Sequence, residues 1–129
     1  MTIILGMCDP SGEGALLPHH PGSAGNRLWK MSGMDLETWE RSFTRVNLIP
    51  GTKWDRREAA REAQRFLGSR RGGEPVVALG AAVRAALEAS GQDLSGVYFL
   101  PHPSGRNLAY NSPKARRFLR STLKSLAAK

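Results

Sequence analysis

The chain has 129 residues, with 19 Lys or Arg against 11 Asp or Glu, a formal net charge of +8 and a single cysteine, Cys8. That length fits one domain over residues 1–129, with a single core and little room for accessory units. No apolar run approaches the roughly 20 residues a membrane span needs, and one cysteine excludes both an internal disulfide and a multi-cysteine metal site within the chain.

The opening Met1-Thr2-Ile3-Ile4-Leu5 has no basic leader and no small-residue cleavage site, so the expected compartment is the cytoplasm. The basic excess favours polyanionic partners, because Lys and Arg gain affinity by displacing counterions from phosphates.

Ile3, Ile4, Leu5 and Met7 read as a buried strand with Gly6 late in it, where a close approach would need a missing side chain. Asp9 to Gly14 is a loop by its turn chemistry, and it continues through Pro18-His19-His20-Pro21 to Gly25. Asn26 to Ser32 begins a helix that Gly33 ends, and a second short helix runs from the N-cap Asp35 towards Arg41. Phe43, Val46, Leu48 and Ile49 suggest the next strand, stopped by Pro50-Gly51.

Asp55, three residues before Glu58, fits an N-cap with a capping-box partner, and Ala59, Ala63, Phe66 and Leu67 follow at helical spacing. The arginines from Arg56 to Arg71 occupy mainly the other faces and read as a solvated surface. Pro75 to Gly80 is a buried strand leading into a helix over Ala81 to Ser90, with Gly91 placed as its C-terminal cap. Gly96 to Leu100 is the fourth strand. Ser112 caps the last helix, Pro113 suits its first turn, and Phe118, Leu119, Leu123 and Leu126 are expected to line its buried face. Strands separated by helices imply right-handed crossovers. The fold class is therefore α/β, a three-layer α/β/α sandwich around a mainly parallel four-stranded sheet.

The fourth strand delivers Pro101-His102-Pro103-Ser104-Gly105-Arg106-Asn107, a rigid loop presenting an imidazole, a hydroxyl, a guanidinium and an amide. Loops at the carboxyl ends of such strands are where ligands usually bind. His102 and Ser104 lack the G-x-S-x-G setting of a nucleophilic serine. Taken alone, they read as a turn in which side chains cap local backbone. Asp9, His19, His20 and His102 have no recognised metal-ligand spacing, so no metal is expected. Gly12, Gly14, Gly22 and Gly25 form no P-loop, and Cys8 is expected to be buried rather than reactive.

The order of these segments resembles the uracil-DNA glycosylase superfamily. His102-Pro103-Ser104, between a strand and the last helix, is similar to that superfamily's second motif. Gly6-Met7-Cys8-Asp9-Pro10 is similar to its first, Gly-x-Asp-Pro, with one residue more before the acid. Gly22 to Gly25 with Arg27 and Leu28, Asn47 in Val-Asn-Leu-Ile-Pro, and Pro75 to Gly80 resemble further segments of the compact bacterial members. The cluster-binding cysteines of some relatives are missing, so the resemblance implies no iron–sulfur centre or other cofactor.

The resemblance implies hydrolysis of the N-glycosidic bond of uracil or a related altered pyrimidine in single- or double-stranded DNA. The protein would be a monomer, nucleoid-associated when bound to DNA. It gives Asp9 the sugar side and His102 the leaving base as the catalytic pair. Asn47 would read the base edge. His20 would stand where an aromatic usually stacks, with Trp29 as the alternative. Ser104, Gly105, Arg106 and Asn107 would meet the DNA backbone or form the wedge, Asn107 being equally readable as a local cap. Two further readings stay open: a non-catalytic binder of DNA or a modified base with the same fold, and a glycosidase acting on free nucleotides.

Overall fold

In a computed structural model of the chain, residues 1–8, 16–19, 21–70, 73–104 and 107–128 are described. Four strands, β1 (Thr2–Gly6), β2 (Phe43–Asn47), β3 (Val76–Leu79) and β4 (Val97–Leu100), form one sheet in the order β2-β1-β3-β4. Every pairing is parallel, with Gly6 opposite Asn47, Leu5 opposite Ala78 and Leu79 opposite Leu100. All four residues of β3 are buried, as expected of a central parallel strand covered on both faces.

Helices α1 (Ala24–Ser32) and α2 (Leu36–Ser42) connect β1 to β2, α3 (Arg56–Ser69) connects β2 to β3, and α4 (Ala81–Ala89) connects β3 to β4. A short 3-10 turn, Leu108–Asn111, then leads into α5 (Pro113–Ala127). The first connection leaves β1 in one direction and the next two move in the other. Crossovers of one hand must then put their helices on opposite faces. Two core clusters record this. Leu28, Trp39, Leu119, Leu123 and Leu126 pack with Ile4, Val77 and Leu79 on one face. Ala59, Ala63, Leu67, Val83 and Leu87 pack with Leu5, Val76 and Ala78 on the other. The three-layer α/β sandwich stands, with a sheet that is wholly parallel.

Local chemistry sets the helix ends as the spacing predicts. Asp35, Asp55 and Ser112 each accept a hydrogen bond from the backbone N–H three residues on. Gly33, at φ 73°, closes α1 in the left-handed conformation glycine favours.

Three expectations need correction. Helix α1 begins earlier, at Ala24, because the Ser23 side chain accepts the Asn26 N–H and starts the turn there. Strand β2 ends at Asn47, with Leu48 and Ile49 beyond it, still tied to β1 through the Gly6 and Met7 carbonyls. Phe118 is 62% exposed, because the sheet covers only the narrow stripe of α5 that runs through Leu119, Leu123 and Leu126.

Candidate functional site

The strand order reverses direction between β1 and β3, so the crevice outside their carboxyl ends is the place where open parallel sheets hold ligands. Both middle strands end there on glycine: Gly6 closes β1 and Gly80 follows β3. Neither has a side chain to fill the space. A methyl group at Gly6 would lie 2.7 Å from Asn47 Oδ1 and 3.4 Å from Leu16 Cδ1. One at Gly80, whose φ is +91°, would lie 3.1 Å from His102 Cβ and 3.7 Å from the imidazole Cγ and Cδ2.

Two of the expected residues border these glycines. Asn47 ends β2 and His102 follows β4, the two outer strands, whose backbones are about 14 Å apart at ordinary strand spacing. The Asn47 amide lies against Gly6 and the His102 side chain against Gly80, at the ends of the two adjacent middle strands. The Asn47 amide and the Ser104 hydroxyl make no hydrogen bond with the described residues. An amide in that state keeps both a donor and an acceptor for a ligand edge.

The imidazole of His102 is held in one state. The Ser104 N–H donates to its Nδ1 at 3.1 Å, which requires a lone pair there. Burial penalises the charged ring and holds its pKa below the ordinary value of 6.5. A neutral imidazole accepting at Nδ1 carries its proton on Nε2. Burial and this hydrogen bond thus favour the neutral ring with Nε2 as its donor.

The loop carrying it is braced from three sides. Asn107 Nδ2 donates to the His102 carbonyl at 3.0 Å, while its Oδ1 accepts the Ala109 N–H at 3.0 Å. The Tyr110 hydroxyl, its pKa pushed up by burial, donates to the Pro101 carbonyl at 2.8 Å. Arg27 Nε, from α1, donates to the Pro103 carbonyl at 3.0 Å. Asn107 thus caps and braces the loop locally.

Asp9, His20, Gly105 and Arg106 lie outside the described residues. His19 is exposed, and no group of three His, Cys, Asp or Glu side chains gathers to hold a metal among the described residues. Trp29 is half-buried, its ring packed against the core beneath α1 and α5 and its Nε1 donating to the Met34 carbonyl at 2.9 Å. Cys8 is half-buried against the core on the α3–α4 face.

Two residues at this edge escaped the sequence reading. Leu16 adopts φ 50°, a conformation that branched side chains avoid, and rests its side chain over Gly6. Its backbone lies against α1 so closely that a methyl at Gly25 would run into Leu16 and Leu17. Asn26 locks the approach, accepting the Gly22 N–H and donating to the Pro18 carbonyl at 2.8 Å. The glycine inside the first turn of α1 was the available signal. The other residue is Leu108, an apolar side chain 71% exposed directly after the brace Asn107.

Compared with models of protein families, with curated proteins and with solved structures, the chain matches none. No helix among the described residues is long and apolar enough to cross a membrane.

Proposed function

We propose that this chain is a DNA glycosylase of the uracil-DNA glycosylase kind, hydrolysing the N-glycosidic bond of uracil or a related altered pyrimidine. The observation that carries the reading is that the Asn47 amide, with no hydrogen bond to a described residue, lies against Gly6, while His102, whose Nδ1 accepts the Ser104 N–H, lies against Gly80 at the end of the adjacent strand. A planar base extruded from the stack has its hydrogen-bonding edge free for such an amide.

Breaking the bond sends its electron pair to the base nitrogen, while the oxygen of water bonds to the sugar carbon and releases a proton to solvent. Negative charge then develops on a pyrimidine oxygen. A preorganised neutral donor lowers that barrier without first having to give up a proton. His102 is that donor. By the resemblance, Asp9 supplies the carboxylate that favours the developing positive charge on the sugar. Ser104 offers its hydroxyl to a flanking phosphate. Leu108 joins Arg106 as the candidate for the flanking base step, since apolar side chains wedge between unstacked bases. The protein acts as a cytoplasmic monomer on DNA.

The test uses uracil-containing single- and double-stranded oligonucleotides, followed by alkaline cleavage of abasic sites. Strand scission by the wild type, lost in Asp9→Asn and His102→Ala, is the expected result. Tight binding without scission would overturn the enzymatic reading in favour of a base-binding protein. Release of base only from free nucleotides would overturn DNA as the substrate.

A further inference from the structure

Charge is unevenly distributed over this molecule. The ion pairs among the described residues are Arg41–Glu37, Arg45–Glu40, Arg65–Glu62 and Arg84–Glu88, all on α2, β2, α3 or α4. Helix α5 carries Lys114, Arg116, Arg117, Arg120 and Lys124, and α1 carries Arg27 and Lys30, with no carboxylate on either helix. Between these two helices runs a groove of ≈ 420 Å³ lined by Lys30, Met31, Pro113, Arg116, Arg117 and Arg120. Four of its six lining residues are cations, and none is an acid.

Two of those cations are already oriented. Arg116 Nη1 donates to the Tyr110 carbonyl at 2.6 Å, and Arg120 Nε donates to the Met31 carbonyl at 3.2 Å. A carbonyl fixes the guanidinium fork but leaves its charge uncompensated, so the remaining N–H groups keep their appetite for an anion. Arg116, Arg120 and Lys124 recur every fourth residue, a row with steps of about 6 Å along the helix axis. Such a row matches a polymer of regularly spaced charges better than a single small anion.

We propose that the α1–α5 groove is a track for the phosphate backbone of duplex DNA. An anionic lipid surface fits less well. Interfacial helices present an apolar face to the bilayer, whereas α5 turns Leu119, Leu123 and Leu126 into the core and leaves Phe118 as its one exposed large apolar residue. The groove also joins the site edge: Tyr110, whose carbonyl holds Arg116, donates its hydroxyl to Pro101, next to His102. The choice of DNA as the polyanion rests on the pocket reading, while the uncompensated charge does not.

The test measures anisotropy of a short fluorescent duplex of unmodified bases from about 50 to 200 mM salt. An unmodified duplex leaves the pocket unengaged, so failure of base release in the pocket assay is a separate result. Lys30→Gln/Arg117→Gln removes two groove cations whose side chains make no hydrogen bond among the described residues, avoiding the folding risk of changing Arg116 or Arg120. The expected outcome is weaker binding, with the slope of log K against log salt reduced by about 1.8. The charge-matched control Arg57→Gln/Arg61→Gln, on the exposed face of α3, keeps the wild-type slope. Wild-type binding by the groove variant, an equal loss in the control, or binding to phosphatidylserine vesicles without binding to the duplex would each overturn the proposal.

Discussion

Replacing Gly6 with alanine tests the site at its narrowest point. The new methyl lies 2.7 Å from Asn47 Oδ1, closer than a carbon and an oxygen tolerate, whereas the 3.4 Å to Leu16 Cδ1 is ordinary contact. The Asn47 side chain must therefore rotate away. That movement breaks no hydrogen bond to a described residue, so the cost to folding is small. Overpacking costs about 1–3 kcal/mol, offset by about 0.4–1 kcal/mol from the reduced freedom of the unfolded chain. The melting temperature is expected to fall by less than about 10 °C.

Recognition suffers more. On the proposed glycosylase reading, losing the donor and the acceptor of Asn47 forfeits about 1–3 kcal/mol of transition-state binding, or roughly 5- to 150-fold in kcat/KM. The decisive comparison is the double variant Gly6→Ala/Asn47→Ala, measured by thermal melting and by base release from a uracil-containing oligonucleotide. With the amide gone the methyl has no partner to strike, so the double variant should be no slower than Asn47→Ala and should recover the lost stability. Losses that multiply, or a Gly6→Ala enzyme with wild-type kcat/KM, would refute the proposed contact between floor and wall.

Gly25→Ala should be far more damaging than Gly6→Ala, by about 3 kcal/mol, because the methyl meets backbone rather than a movable side chain; an unchanged melting temperature would overturn that close approach. Since the folded pKa of His102 lies below 6.5, the stability contributed by its neutral form is complete above about pH 6.5 and is lost as pH falls through the folded pKa. Urea melts across this window should show that loss, and His102→Gln should remove it. Leu108→Ala should leave stability within about 0.5 kcal/mol, because the side chain is 71% exposed. It should slow base release from duplex but not from single-stranded DNA; equal rates on duplex would exclude Leu108 as a wedge.

The elements were legible because their signals are local. Asp35, Asp55 and Ser112 cap helices through bonds three residues away, and the run Val76–Leu79 is apolar because it is central. The placement of Phe118 failed for a related reason. Helical spacing identifies an apolar stripe but not its width, which depends on how much of the helix the sheet covers. At the site, the sequence singled out Asn47 and His102 as residues, but not the glycine that each lies against. Those contacts depend on strand order, which no local pattern encodes. The bond from Asn107 to the His102 carbonyl was not legible for the same reason, since it is a matter of loop geometry. Leu16 was missed because a left-handed leucine leaves no mark of its own, and Gly25, whose missing side chain admits it, was read as part of the loop.

The two glycines beneath the crevice have a consequence for how this scaffold can change its preferences. Nothing smaller than glycine exists, so no substitution at Gly6 or Gly80 deepens the floor. At Gly80 the left-handed backbone also discourages any side chain at all. In the proposed pocket, larger guests would be admitted only by retreat of Leu16, Asn47 or the loop that carries His102. Diversification of this site is thus asymmetric: shrinking is a one-step change at the base, whereas enlargement demands remodelling of the rim.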